Sequence, residues 1–282
     1  MAGTLYLVAT PIGNLGDLSP RAAETLAQAD FIAAEDTRVT VKLLNHLGLK
    51  KPMVSYHRHN TAPRGQEITD RLLAGEVCAL VTDAGTPAIS DPGEDLVAQC
   101  AQLDIPVVSI PGPCAFVNAL AVSGLPTGRF TFEGFLAMNK KNRRAHLDSL
   151  RRETRTMVFH EAPHKLPATL ADLAEAFGPQ RRVALCRELT KLHEEVCRTT
   201  LGQAADYYRD NPPKGEFVLV VEGAPEEAPQ GHTLEEGMAL AAQLQAQGLS
   251  TRDAVKEAAA VCGLSRKALY DRVIAARSED EP

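Results

Sequence analysis

Short apolar segments alternate with longer amphipathic segments along the first half of the chain. Four of the apolar segments have the length of a buried strand, and they lie at 4–10, 30–34, 77–83 and 105–110. A helix signal follows the first segment, because Ser19 is a typical N-cap residue and Pro20 suits the first helical position. Strands that alternate with helices predict a mostly parallel sheet with both faces covered.

The pattern changes after about residue 125, where a second series of segments begins. Its strand-like segments lie at 156–160, 182–187 and 216–222, and its helical segments lie near 142–152 and 164–177. This series predicts a second α/β domain with a sheet of its own.

The C-terminal part of the chain lacks a strand pattern and predicts three short helices. These helices lie at 234–247, 251–262 and 266–276. Gly263 ends the second and Ser265 caps the third, so the tight turn between them is typical of a helix-turn-helix.

Together these patterns divide the chain into four parts. The predicted parts are an N-terminal α/β domain at 1–125, a second α/β domain at 126–223, a linker at 224–231 and a helical domain at 232–282. The linker prediction rests on a stretch rich in Pro, Glu and Ala that has no apolar period.

Three of the predicted strands end in loops rich in Gly and Pro. The sequences read LYLVATPIGNLGD from residue 5, VTDAGTPAISDPG from residue 81 and VVSIPGPC from residue 107. Parallel strands end at one edge of a sheet, where open α/β folds bind ligands, so the loops predict one shared crevice. Ordinary strand-to-helix turns explain any one of these loops better than they explain all three.

Composition limits the class of protein. Apolar residues make up 44% and charged residues 23% of the chain, as in globular proteins, and no apolar run approaches the ~20 residues of a membrane span. The N-terminus lacks the pattern of a signal peptide. The six cysteines are scattered without a CxxC pair or zinc spacing, so we expect reduced thiols, a cytoplasmic location and no metal.

Local basic groups stand out against a net charge of −6. One group follows residue 138 and the other lies in the last helices, where a solvated helix face is the alternative interpretation. We expect these groups to contact RNA phosphates through Lys140, Lys141, Arg143, Arg144, Arg266 and Lys267.

Several common motifs are missing from the sequence. It contains no GxxxxGK[ST], no GxGxxG and no GxSxG, which argues against nucleotide hydrolases, dehydrogenases and esterases. What remains is a crevice of backbone and small residues that suits a neutral or zwitterionic ligand with an adenine ring.

An ordered set of motifs then points to a known family. The motifs are PIGN (11–14), AEDTR (34–38), VTDAGTPAISDPG (81–93), PGPCA (111–115), GLP (124–126), EGF (133–135), CRELTK (186–191) and KGE (214–216). From about residue 3 to its end, the chain resembles the tetrapyrrole-methylase-like family of S-adenosylmethionine enzymes. Within that family it resembles the bacterial branch that methylates the ribose 2′-hydroxyl of a cytidine in small-subunit ribosomal RNA.

The resemblance implies two α/β domains of the tetrapyrrole-methylase type, with S-adenosylmethionine in the cleft between them and a small helical domain at the C-terminus. It further implies a homodimer that acts on the decoding region of 16S ribosomal RNA or on the small ribosomal subunit. The residues implied in donor binding are Pro11, Asp83, Ala84, Gly85, Thr86, Ile89, Cys114, Ala115, Glu161 and Leu189. Thr86 stands where the porphyrin branch has an acid and Asp83 lies earlier, which leaves the role of either side chain open.

Methyl transfer to a ribose hydroxyl requires in-line placement and a group that takes the proton. The candidate bases are Glu35, Asp36 and Glu188, and Arg38 could hold a phosphate or lower the pKa of a neighbouring acid. The alternatives are a helix-capping acid or an Arg38 salt bridge at 35–36, and an ion pair of Glu188 with Arg187.

Three hypotheses about function follow. The first is an RNA ribose methyltransferase, and the second is a small-molecule, porphyrin-like methyltransferase on the same scaffold. The third is a non-catalytic nucleic-acid-binding regulator. The basic groups and the helix-turn-helix pattern disfavour the second, and the three Gly/Pro loops disfavour the third.

Overall fold

The computed structural model describes residues 2–225 and 232–279, except for the side chains of 277–279. The chain divides into two compact units, Met1–Ala224 and Pro225–Pro282.

The first half of the larger unit is a parallel sheet with helices on both faces, as the sequence predicts. The strands are β1 (Leu5–Val8), β2 (Phe31–Ala34), β3 (Met53–Ser55), β4 (Cys78–Val81) and β5 (Val107–Ile110). The helices are α1 (Pro20–Gln28), α2 (Thr37–His46), α3 (Thr61–Leu73), α4 (Glu94–Gln102) and α5 (Ala115–Val122). The strand order is β3-β2-β4-β1-β5, and every pair in it is parallel.

Successive residues of the central strands serve opposite faces of this sheet. Phe31 and Leu80 belong to one apolar core, and Ile32 and Val81 belong to the other. β2 and β4 are therefore buried along their whole length, which explains why they are apolar without interruption.

The second half of the unit is a mixed sheet. Its strands are β6 (Phe130–Phe135), β7 (Thr156–Glu161), β8 (Arg182–Arg187), β9 (Glu195–Thr200) and β10 (Phe217–Val221), in the order β6-β7-β10-β8-β9. β6 and β7 are parallel and the other pairs are antiparallel. Its helices are α6 (Lys140–Ser149), α7 (Leu166–Phe177) and α8 (Leu201–Asp210).

α5 fastens the two sheets together. Ala119 and Leu120 of this helix are buried in one cluster with Val158 of β7 and Val218 of β10. The opposite face of the second sheet packs in a separate core that includes Leu173. The two α/β halves thus share a core, and this sharing fixes the cleft between them.

The smaller unit contains three helices, α9 (Leu234–Ala246), α10 (Thr251–Cys262) and α11 (Arg266–Glu279). Thr233 and Glu236 form a capping box at the start of α9. Gly263 ends α10 in the left-handed conformation, with φ 64°. The helices pack around a small core of Ala241, Val255, Ala258, Leu269 and Val273. The predicted linker at 224–231 lies outside the described residues apart from 224 and 225.

Within the described ranges, no helix has the length and hydropathy needed to cross a membrane. In the same part of the chain, no cluster of His, Cys, Asp and Glu could hold a metal ion. All six cysteines are free thiols.

Candidate active site

The three Gly/Pro loops of the first sheet are joined to one another. The backbone amides of Thr10 and Gly85 each donate to the other residue's carbonyl, at 2.9 and 3.0 Å. The Thr86 hydroxyl donates to the carbonyl of Pro113 at 3.1 Å. Gly85 has φ 89°, a conformation that residues with a Cβ rarely adopt, which explains a glycine at this corner. The loops therefore form one rim at the carboxyl edge of the sheet.

A cleft of about 500 Å³ opens between this rim and the second sheet. Five of the residues predicted to bind the donor line it, namely Asp83, Ala84, Ala115, Glu161 and Leu189. Pro11 lines an adjoining cavity of about 230 Å³ that shares Thr82 and Asp83 with the cleft. The other four residues predicted to bind the donor belong to the loops of the rim. They are not among the described residues that line the cleft, and they are Gly85, Thr86, Ile89 and Cys114.

Acidic side chains gather where β2 and β4 end. The buried Thr82 hydroxyl donates to Glu35 Oε2 at 2.6 Å, and Asp83 Oδ1 accepts from the amide of Asp36 at 3.1 Å. Burial and the negative charge of Glu35 raise the pKa of Asp83. The same two causes raise the pKa of Asp91 to about 6. Glu35, Asp83 and Asp91 all line the cleft, and we call them the acid cluster.

Asp36 is engaged elsewhere. Its carboxylate caps α2 by accepting from the amide of Arg38 at 2.8 Å, and it also accepts from the Arg38 guanidinium at 2.6 and 3.0 Å. These hydrogen bonds from Arg38 lower the pKa of Asp36 to about 2. The helix-capping acid with an Arg38 salt bridge is thus what the structure shows at residue 36, while Glu35 faces the cleft.

Glu188 belongs to an ion-pair network with Lys191 and Glu216. Lys191 Nζ lies 2.9 Å from Glu188 Oε1 and 3.0 Å from Glu216 Oε2. The hydrogen bond from Lys191 lowers the pKa of Glu188. The partner expected from the sequence, Arg187, instead lies 3.1 Å from Glu195. Glu188 has φ 50°, and the chain turns so that the amide of Lys191 donates to the Glu188 carbonyl and its ammonium to the Glu188 carboxylate, both at 2.9 Å.

Glu161 is a buried acid, 3% exposed, on the opposite wall of the cleft. It accepts from the amide of Ala162 at 2.8 Å and from the Thr169 hydroxyl. Arg143 donates to that hydroxyl oxygen at 2.8 Å and to Asp172 at 2.5 Å. The Arg143 side chain is only 12% exposed, so this predicted RNA contact is committed to a chain of hydrogen bonds that ends at Glu161.

The other predicted RNA-contact residues lie at the surface. Lys140, Lys141 and Arg144 are exposed on α6, and Arg266 and Lys267 are exposed in the first turn of α11. The Arg38 side chain is 87% exposed although its guanidinium is paired with Asp36.

The cleft is also lined by four acidic, basic or imidazole side chains that sequence reasoning did not single out, namely Asp91, His160, Lys191 and Glu216. Asp91, Lys191 and Glu216 lie inside motifs that carry the family resemblance. These motifs could have pointed to the three residues, but they assign no function to their side chains. His160 falls within the strand-like segment predicted at 156–160, and it is the half-buried residue of β7 among buried neighbours. Burial lowers its pKa, and the Phe135 ring meets it edge-on at 5.4 Å.

The lining of the cleft fits a ligand that carries positive charge and a flat ring. Its volume lies within the usual range for small-molecule sites, and the acid cluster supplies negative charge. Ala84 and Ala115 leave room beside the backbone of the rim. S-Adenosylmethionine carries a sulfonium, an ammonium and an adenine, and it matches this lining.

Comparison with known families and proteins gives a consistent result. The model of the tetrapyrrole (corrin/porphyrin) methylases matches residues 4–205, and that of the RsmI C-terminal HTH domain matches residues 233–277. The chain is 50% identical to Ribosomal RNA small subunit methyltransferase I of Synechocystis sp., over 95% of this chain and 96% of that protein. It is 42% identical to the protein of the same name from Pseudomonas aeruginosa, over 97% of each.

Solved structures share the two-sheet fold at low sequence identity. A uroporphyrin-III C-methyltransferase from Thermus thermophilus, complexed with S-adenosyl homocysteine, has a TM-score of 0.55 at 18% identity and covers 77% of this chain and 97% of that one. Diphthine synthase has a TM-score of 0.59 at 14% identity and covers 78% and 90%. These likenesses confirm the predicted fold class.

Proposed function

The chain belongs to the tetrapyrrole (corrin/porphyrin) methylase family, and we propose that it transfers a methyl group from S-adenosylmethionine to small-subunit ribosomal RNA. One observation carries this proposal: relatives named Ribosomal RNA small subunit methyltransferase I match both the larger unit, which contains the cleft, and the helical unit. A porphyrin-like methyltransferase would leave the helical unit without a role, and a non-catalytic regulator would leave the cleft without one.

The proposed acceptor is the 2′-hydroxyl of a cytidine ribose in the decoding region. A hydroxyl must lose its proton when it is methylated, so the site needs a proton acceptor beside the donor. The acid cluster meets that need, because it places three carboxyl groups in the cleft. A cleft lined only by backbone groups would offer no carboxylate to accept the proton.

The donor supplies an electrophilic methyl group on a positively charged sulfur. We propose that it is held by the rim and by the opposite wall, through Pro11, Asp83, Ala84, Gly85, Thr86, Ile89, Cys114, Ala115, Glu161 and Leu189. The left-handed corner at Gly85 joins two loops of the rim through its hydrogen bonds with Thr10, and the Arg143–Thr169–Glu161 chain fixes the acid on the opposite wall.

The proposed roles of the candidate bases differ. Glu35 belongs to the acid cluster that takes the proton. Asp36 positions the start of α2 through its cap, and Glu188 positions Lys191 at the cleft. Neither carboxylate is available for proton transfer while it holds its cation.

RNA is proposed to lie across the exposed cations. On the larger unit, the proposed phosphate contacts are Arg38 and three cations of α6, namely Lys140, Lys141 and Arg144. On the helical unit, they are Arg266 and Lys267. Arg143 is proposed as a positioning residue because its guanidinium is occupied and its side chain, unlike that of Arg38, is largely buried.

A homodimer is the proposed assembly. Val117, Val122 and Phe130 are 48%, 39% and 38% exposed, and they belong to α5 and β6 near the joint between the sheets. An apolar surface of this kind is typical of an interface. Sedimentation in solution should give twice the chain mass. A ribosomal substrate also fits the cytoplasmic location expected from the free thiols.

The direct test of the proposed function has two parts. Titration with S-adenosylhomocysteine should raise the melting temperature. At a ligand concentration of 100 times the dissociation constant, the free energy of unfolding should rise by about 2.7 kcal/mol. Purified protein should then transfer tritiated methyl groups from S-adenosylmethionine to small ribosomal subunits from cells that lack it. Binding without transfer would favour the small-molecule alternative, and no binding would favour the regulator.

A further inference from the structure

The proposed function leaves open which carboxyl group of the acid cluster takes the proton. We propose that it is Asp91, a catalytic residue set on the loop that follows β4 and shared between the cleft and a second cavity. The inference rests on the proposed function and names the proton acceptor of that same site.

The other acids around the cleft are committed to partners. Glu188 and Glu216 share the ammonium of Lys191. Glu161 is held by an amide and a hydroxyl, and Asp83 accepts from the amide of Asp36. Glu35 accepts the Thr82 hydroxyl at 2.6 Å. Asp91 also has a side-chain hydrogen bond with Thr82, and what distinguishes it from these acids is that it lines a second cavity as well as the cleft.

Asp91 also occupies a suitable place for moving a proton. With Ser90 it lines both the cleft and a second cavity of about 310 Å³, whose other walls include Arg58, Thr61 and Glu94. A proton taken on the cleft side can therefore leave on the other side without passing the donor. Among the residues that the structure describes, Ser90 and Asp91 are the ones that line both spaces.

The loop that carries Asp91 is held in a conformation that most residues avoid. Ala88 and Ser90 are left-handed, with φ 66° and 64°. The Arg58 guanidinium donates to the Ser90 carbonyl, and the loop closes on Gly93, where a Cβ would lie 2.8 Å from Leu80 Cδ2. Such strain persists only where the surroundings enforce it, and it is concentrated at functional sites. Here it fixes the position of one carboxyl group.

The electrostatic surroundings match the task. Burial and then the charge of Glu35 raise the pKa of Asp91 to about 6, while Thr82 and Arg58 act in the opposite direction. Asp91 is thus ionised at neutral pH yet binds a proton far more readily than an ordinary aspartate, as a general base should. The charged and titratable groups that surround it on the cleft and the second cavity are Glu35, Arg58, Asp83, Glu94, Asp95, His160, Glu161, Cys186, Lys191 and Glu216.

The proposed methyl transfer forms one bond, breaks one bond and moves one proton. An oxygen–carbon bond forms between the ribose 2′-oxygen and the methyl carbon, while the carbon–sulfur bond breaks and leaves its electron pair on sulfur. The hydroxyl proton passes to the Asp91 carboxylate and from there to water in the second cavity. No oxidant, reductant or metal takes part.

Single-turnover methylation of small ribosomal subunits, measured from pH 5 to pH 9, tests the proposal. In the wild-type protein the rate should rise tenfold per pH unit up to about pH 6 and then level off. Asp91→Asn should lower the plateau by at least about 100-fold and abolish the acid limb. Asp104→Asn, the same change in an exposed turn after α4, should leave both unchanged.

Glu35→Gln separates the two acids. Because removal of its charge should lower the pKa of Asp91, the acid limb should persist and move to lower pH. Loss of the limb in Glu35→Gln, with only a displaced limb in Asp91→Asn, would overturn the proposal and make Glu35 the base. A normal rate in Asp91→Asn would also overturn it.

A readout without turnover guards against misfolding of the variant. Burial makes the ionised form of Asp91 costly. Its raised pKa therefore implies that the stability of the wild type decreases as the pH rises from about 4 to about 6. Asp91→Asn should therefore melt higher than wild type at pH 8 and not at pH 4, and its affinity for S-adenosylhomocysteine should stay within about threefold. Lost affinity would make Asp91 a donor-binding residue instead. If the wild type binds no donor, the proposed function itself fails, whatever Asp91 does.

Discussion

Gly13 and Lys191 are in direct contact across the two halves of the larger unit. A Cβ at residue 13 would lie 2.4 Å from Lys191 Cγ, closer than real side chains approach. The glycine of the first loop thus lets the lysine reach Glu188 and Glu216 at the cleft. Two motifs that are far apart in the sequence, PIGN and CRELTK, meet at this contact.

Gly13→Ala should push Lys191 out of its ion pairs. We expect a loss of about 1–3 kcal/mol in stability and a weaker affinity for S-adenosylhomocysteine, because Lys191 lines the cleft. Calorimetric titration and chemical unfolding measure the two effects. Gly128→Ala is the matched control, since a Cβ there meets nothing within 4 Å. Unchanged donor affinity in Gly13→Ala would contradict the role given to this contact.

Gly85→Val should abolish donor binding. The residue has φ 89°, which a β-branched side chain cannot adopt without moving the rim, and its Cβ would lie 3.5 Å from Ile12. Gly178→Val is the control, because Gly178 has φ 93° at the end of α7 with nothing within 4 Å. Both variants should lose stability, and only Gly85→Val should lose the melting shift with S-adenosylhomocysteine. A retained shift would remove the loop from the donor site.

Arg143 and Arg144 are adjacent cations with different expected roles. Arg144→Ala should weaken RNA binding and reduce the dependence of affinity on salt by about one phosphate contact. Arg143→Ala should leave that salt dependence unchanged and lower donor affinity, because it releases Thr169 from the chain that ends at Glu161. Fluorescence anisotropy with labelled RNA at several salt concentrations measures the first effect. Equal salt effects in both variants would place both side chains on RNA.

Removal of residues 225–282 tests the role of the helical unit. The remaining Met1–Ala224 is a compact unit that keeps the whole cleft. RNA affinity should fall by at least tenfold while affinity for S-adenosylhomocysteine stays within about threefold. Equal losses of both affinities would point to misfolding of the remaining unit, and intact RNA affinity would exclude the helical unit from RNA binding.

Local signals predicted the parts of the fold that depend on a few neighbouring residues. The start of α10 at Thr251 and its end at Cys262 follow from Ser250 and Gly263, whose capping acts within one turn. The sequence did not predict β3, which has only three residues, or β9, which is an edge strand with half of its residues exposed and none buried. Edge strands lack the apolar pattern on which the prediction depends.

In the candidate site, too, the sequence predicted only contacts between residues that are close together along the chain. The pair of Asp36 and Arg38 was foreseen because the two residues are neighbours in the sequence. The network of Lys191 with Glu216, and the place of Asp91 between two cavities, depend on residues that only the folded chain brings together. No pattern along the chain reports such a distance.

The central claim is that this chain methylates one ribose of small-subunit ribosomal RNA with its cleft. Mass spectrometry of that RNA from cells that lack the protein, complemented by the wild type or by Asp91→Asn, tests it most directly. We predict that a single 2′-O-methyl cytidine in the decoding region disappears, returns with the wild type and stays absent or greatly reduced with the variant. An unchanged set of ribose methylations in the deleted cells would contradict the claim.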